Sequence, residues 1–184
     1  MKAITIHQPW ATLIALGEKK FETRGWATKY RGQLAIHAAK KVDKEICQQE
    51  PFRSVLAKHR YSADNLPTGC VVAIAQITGC YRIYNTIDNG VHIVRCPNYQ
   101  YDFDKVEFIR KPESDFGYYD DGRFAWEMSD VKQIDPVPAK GQQGLWNWNY
   151  GTCINCKEDK ELLPLDDVQG ICEDCAQVMS DLAP

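Results

Sequence analysis

No stretch of the 184-residue chain approaches the roughly 18 to 20 consecutive apolar residues that a membrane-spanning helix needs. The opening "MKAITIHQPW" holds one short apolar run, broken by His7 and Gln8. That is not a signal-peptide pattern, so a reducing, cytoplasmic setting and no membrane partner are the expectation. Internal repeats and low-complexity tracts are also lacking, which leaves no basis for a repeat array or a biased linker. Charge of one sign is lacking too. A net charge of −3 argues against a protein that coats nucleic acid without discrimination.

What is present is a globular balance, 44% hydrophobic and 26% charged, in a length that suits one ordinary domain plus a small appendage. The charge is unevenly laid out. Residues 1–60 carry 12 Lys/Arg against 5 Asp/Glu, residues 61–150 carry 8 against 12, and residues 151–184 carry 2 against 8. The basic excess therefore sits in the first third, which is compatible with an anionic ligand or equally with a solvated lysine-rich face.

"KAITI" reads as a strand and "HQPWATLIALG" as a helix. Pro9 suits its first turn, and Trp10, Leu13 and Ile14 share one face. Gly17 is a natural left-handed stop. "KFETRGW" then alternates, with Phe21 and Thr23 on one side and Glu22, Arg24 and Trp26 on the other. "GQLAIHAA" is a strand, and "DKEICQQE" and "FRSVLAKH" read as helical, separated at Pro51. "CVVAIAQITGCYRIY" is one bent strand or two. Residues 85–120 read as a long excursion with a short strand at "KVEFI", and "ESDFGYYDDGR" as a solvated loop. "RFAWEMSDVKQI" reads as a strand pair, "PVPAKGQQG" as a loop and "LWNW" as a last strand. This order predicts an α+β class with a partly closed β-barrel and flanking helices.

The tail carries the clearest chemical signal. "CINC", 15 further residues and "CEDC" place Cys153, Cys156, Cys172 and Cys175 in two knuckles. Paired thiolates two residues apart reach one ion from a tight turn, and two such pairs complete a closed, structural zinc site. In a chain expected in a reducing setting, zinc is favoured over two disulfides. About 34 residues hold little core, so metal would supply most of the folding energy of a zinc-ribbon or treble-clef-like tail over 151–184. Its acidity makes it a poor binder of phosphate backbone and points to protein contact or packing on the body. Cys47, Cys70, Cys80 and Cys96 have no paired spacing and read as buried thiols.

The stretch "IHQPWATLIALGEKKFETRGWATKYRGQLAIHAAK" resembles the ASCH domain of the PUA-like superfamily. The family pattern falls on Pro9-Trp10, Gly17, Lys19, Glu22, Arg24, Arg31-Gly32 and Ile36-His37-Ala38. "PVPAKGQQGLWNW" is similar to the end of bacterial and phage-like members, so the resemblance spans residues 3–148 and an ASCH domain over 1–150. It implies a small barrel with a cleft beside the first helix, and a family that binds RNA or nucleotides. Small members that deacetylate acetylated cytidine use a lysine, a threonine and a glutamate. Here those positions fall on Lys19, Glu22 and Ala75, the last beside Gln76. A shifted register gives Lys20 and Thr23 but discards the Gly17 and Arg24 anchors.

These readings converge on an RNA- or nucleotide-binding module, expected to be a monomer. Lys19, Glu22 and Arg24 would line the cleft, Trp26 would stack a base, and Lys20, Arg31, Lys40 and Lys41 would supply positive charge. A hydrolase acting on a modified nucleoside or RNA through Lys19 and Glu22 is the alternative. A third reading is an adaptor that uses its acidic zinc tail for protein contact.

Overall fold

The computed structural model describes residues 1–86, 90–95, 102–153, 155–164 and 170–181. β1 (Lys2–Gln8) leads through Pro9 into the short helix α1 (Trp10–Ala15). Gly17 follows in a left-handed conformation (φ +73°), as the sequence predicts. β2 (Phe21–Arg24) and β3 (Gly32–Val42) come next. "DKEICQQE" supplies only one tight helical turn at Ile46–Gln48, and α2 (Phe52–Lys58) follows Pro51.

β4 (Cys70–Thr86) is one bent strand, whose pairing with β7 (Phe124–Pro138) shifts register at three places. Such bulges bend and twist a long ladder without ending it. β7 is likewise one strand where the sequence suggested a strand pair and a loop from Pro136. Asp130 adopts a left-handed backbone (φ 48°) in mid-strand, which Asp tolerates, and the ladder resumes beyond it. Between β4 and β7 lie β5 (Gly90–Arg95) and β6 (Asp102–Ile109), an antiparallel pair more regular than the excursion expected there. Cys96 lies outside the described residues. β8 (Leu145–Asn147) completes the main sheet.

The strand order is β2-β7-β4-β3-β1-β8, with β5 and β6 added through β4. β1 and β3 are parallel, and the other described pairs are antiparallel. The sheet does not close into the expected partial barrel. β2 and β8 are its two ends, and among the described residues no ladder joins them. The reason is length: β8 pairs with β1 only from Lys2 to Ile4, so the Thr5–Gln8 half of β1 has a partner on one side alone.

Ile4, Ile6, Leu34, Ile36, Ala73, Ala75, Ile77 and Trp126 pack with Ala11 and Ile14 of α1 into the main core. A second cluster joins Leu13, Phe52, Leu56 and Phe116. On the opposite sheet face Trp146 and Trp148 cover Ala3, Ala35 and Val71. A separate three-stranded sheet, β9 (Tyr150–Thr152), β10 (Asp159–Pro164) and β11 (Gly170–Cys172), leads into α3 (Glu173–Asp181). Trp148 stacks on Tyr150 at 4.9 Å, where the main sheet gives way to this tail. Cys47, Cys70 and Cys80 are buried thiols, as expected. No helix among the described residues is long and apolar enough to cross a membrane.

Candidate functional site

The unclosed seam between β1 and β2 forms a cavity of about 290 Å³. Thr5, Ile6 and His7 line it from β1, Trp10 from α1, and Lys19, Glu22, Thr23 and Arg24 from the bend and strand that follow. Phe116, Gly117, Tyr118 and Arg123 close it from the other side. A hydrogen bond crosses the seam: Arg24 Nη2 donates to the carbonyl of Thr5 at 2.9 Å. Arg24 Nε also sits 3.1 Å from Glu22 Oε1, an ion pair on one strand face.

Lys19 is 1% exposed. Its ammonium donates to the carbonyl of Phe21 and lies 5.9 Å from the centre of the Tyr119 ring. Burial pushes its pKa down, and the opposing charges of Glu22 and Glu113 only partly offset this. The chain enters β2 under the control of Glu113. That carboxylate accepts from the backbone N–H groups of Lys20 (2.8 Å) and Phe21 (3.1 Å) and from the Tyr119 hydroxyl (3.0 Å).

The segment 113–123 is therefore not the solvated loop that its acids and tyrosines suggested. Phe116 is fully buried against Phe52 of α2, with ring centres 5.2 Å apart. Tyr118 donates its N–H to Thr23 Oγ1 at 3.1 Å, and Arg123 lies over the Tyr118 ring at 5.0 Å. The fold brings these groups to the free edge of β2, which is why Thr23 reaches the cavity although strand alternation pointed it away. Only the fold reveals Phe116, Tyr118 and Arg123 as part of this wall; a phenylalanine embedded in an acidic run was the one available hint.

Of the residues singled out in the sequence, Lys19, Glu22 and Arg24 come together in the cavity. Trp26 does not line it. β2 ends at Arg24, the alternation ends with it, and the 40%-exposed Trp26 ring packs edge-on to Trp126 at 4.5 Å. Arg31 turns back on its own loop, donating to the carbonyls of Thr28 and Tyr30. Lys20 and Lys41 are exposed, and Lys40 lines a different cavity. Where the deacetylating members place a glutamate, Ala75 is buried in the main core.

The four tail cysteines form a cluster whose sulfurs all lie within 4.8 Å of one another. Four thiolates 2.3 Å from a tetrahedral ion stand about 3.8 Å apart. The Cys156 and Cys172 sulfurs are already at 3.9 Å, and all four cysteines are free thiols. Desolvation opposes ionisation of Cys153, but backbone N–H groups of Cys172, Cys156 and Asn155 outweigh it and bring the thiol down to about 6. Lys160 pairs with Glu158 (2.8 Å) near the first knuckle and with Asp174 (3.2 Å) in the second. The donor set, spacing and free thiols fit a metal ion.

An open sheet with two short helices and a cation-lined seam defines a small α+β domain built around an unclosed edge. The ASCH domain model matches residues 4–138, a range that contains every residue lining the seam and excludes the four tail cysteines, and the chain belongs to that family. Over 80 residues it is 32% identical to the activating signal cointegrator 1 proteins of Homo sapiens and Mus musculus. The match covers 42% of this chain and 14% of each relative, so the chain spans a small part of their length.

Proposed function

We propose that the seam cleft binds an unpaired ribonucleotide, free or within an RNA strand, in a PUA-like ASCH domain over residues 1–150. One observation carries this reading: Lys19, Arg24 and Arg123 line a single cavity together with the rings of Trp10 and Tyr118. Cations neutralise phosphate, and aromatic faces stack bases at about 1–3 kcal/mol per base. Glu22 holds Arg24 in position and offers an acceptor to the N–H or O–H groups of a nucleoside. The test is binding of a single-stranded RNA oligonucleotide at moderate salt. Arg24→Glu and Arg123→Glu each weaken it by about tenfold or more; unchanged affinity in both overturns the assignment.

A hydrolytic second reading is favoured by one feature, the buried Lys19 amine. An amine with a lowered pKa is more often unprotonated and so a better nucleophile or base. Glu22 would be its carboxylate partner. Turnover of acetylated cytidine that is lost in Lys19→Ala supports this reading, and absence of turnover in the intact protein removes it.

For the tail we propose structural zinc held by Cys153, Cys156, Cys172 and Cys175, in a zinc-ribbon-like module over 151–184. Four protein thiolates leave no open position for a reacting water. One zinc per chain, measured by elemental analysis of protein purified without chelator, is the expected result.

A further inference from the structure

A second cavity, of about 660 Å³, lies away from the seam, where the main sheet meets the cysteine tail. Its walls are Thr5 and His37 of β1 and β3, Lys40, Gly69, the 138–141 segment at the end of β7, and Glu173 at the start of α3. We propose that this cavity is a ligand site for a small organic anion that carries an N–H or O–H donor, such as a nucleoside monophosphate.

The donor requirement comes from His37, which is 2% exposed. Its Nε2 lies 3.1 Å from the carbonyl of Ala139, and a carbonyl only accepts, so Nε2 carries the proton. Burial lowers the pKa of this imidazole and keeps it neutral. Nδ1 is then a lone-pair acceptor, and it is buried with no protein partner. A buried acceptor left unmatched costs about 1–3 kcal/mol, which a ligand donor recovers. Thr5 Oγ1 accepts from Trp146 Nε1 at 3.2 Å, which leaves its hydroxyl hydrogen to donate.

The glycines keep the space open. A Cβ on Gly141 would fall 2.7 Å from His37 Nδ1 and 2.9 Å from Thr5 Oγ1, so a side chain there would occupy the ground between these two groups. Lys40 runs across Gly69, its Cγ and Cε each 3.5 Å from where a Cβ would stand. Lys40, an exposed side chain on the wall, supplies positive charge for an anionic group. Glu173 is the one carboxylate among the described lining residues and suits the hydroxyls of a sugar better than a phosphate. Because Glu173 lies between Cys172 and Cys175, the tail forms part of the site.

The probe is cytidine monophosphate, added to the full metal-loaded chain, with inorganic phosphate and cytidine as separate arms. The readouts are affinity and the His37 imidazole nitrogen resonances. The expected result is a saturable shift of the Nδ1 resonance with the monophosphate. Lys40→Glu, an exposed position, should weaken this response about tenfold, whereas Arg123→Glu, whose bonds go to Tyr118 and Thr23 in the seam and not to this cavity's wall, leaves it in place. A shift with phosphate alone shows that the anionic group carries recognition; one with cytidine alone shows that the donor does. No shift with any probe overturns the proposal. So does a shift that survives Lys40→Glu and disappears in Arg123→Glu, which would place the ligand in the seam. The proposal does not depend on what the seam binds, since RNA affinity in Arg24→Glu and Arg123→Glu tests that separately.

Discussion

Arg24 at the end of β2 holds the carbonyl of Thr5 in β1 at 2.9 Å, and no strand ladder joins these two parts of the sheet among the described residues. A side chain thus does the work that a closing strand would do in a barrel. The same guanidinium pairs with Glu22, so the fastening of the sheet and the polarity of the cleft rest on one residue.

Arg24→Ala should therefore cost stability as well as binding. It removes the bond to Thr5 and leaves the buried Glu22 carboxylate without its cation, a loss of about 1–3 kcal/mol. For a chain of this size that lowers Tm by about 2–4 °C per kcal/mol. Arg24→Lys keeps the charge without the two-pronged geometry and should fall between the two. Thermal denaturation beside RNA affinity checks both.

Lys19 gives the alkaline stability profile a definite sign. Its folded pKa lies below the ordinary lysine value because burial disfavours the ammonium. Between that lowered value and the unfolded one, near 10.4, the unfolded chain binds more protons than the folded chain, so this group makes stability rise with pH there. Below its folded pKa the cost of the buried charge is present in full. Urea denaturation across the alkaline range should show this positive contribution in the native protein and its loss in Lys19→Met.

Glu113→Ala should loosen the cleft from outside it. The carboxylate binds two backbone N–H groups at the start of β2 and the Tyr119 hydroxyl. Hydrogen exchange at Lys20 and Phe21 should accelerate while the amides of β3 and β4 stay protected. RNA affinity should fall as well, because Phe116 and Tyr118 belong to the same segment.

Metal removal should separate the tail from the body. Strong chelation, or Cys153→Ser, is expected to abolish the zinc stoichiometry and the amide dispersion of residues 153–181. The main sheet should keep its cooperative unfolding, since its core uses none of these thiols. A chelated protein whose tail spectrum is unchanged contradicts the structural role of the metal.

Much of this was legible in the sequence because it is local. Gly17 stops α1, Glu22 and Arg24 share a face two residues apart, and paired cysteines specify a cluster. What escaped was non-local. Glu113 binds the amide of Lys20 across 93 positions, and Phe116 packs on Phe52, so an acidic, tyrosine-rich run that looked solvated is a wall. Trp26 was read as facing the cleft because alternation was carried past the end of β2. The open seam could not be foreseen either, since it depends on how far β8 extends along β1.

The short reach of β8 has a bearing on solubility. It leaves Thr5–Gln8 of β1 with one strand neighbour, and β2 is an edge as well. Exposed edges recruit strands from other molecules. Here Arg24, Glu113 and the Tyr118 amide occupy the vacant backbone and side-chain positions along those edges. The groups assigned to ligand recognition are thus also sentries against edge-to-edge association. Substitutions that strip the cleft should drive the folded protein toward self-assembly before they unfold it.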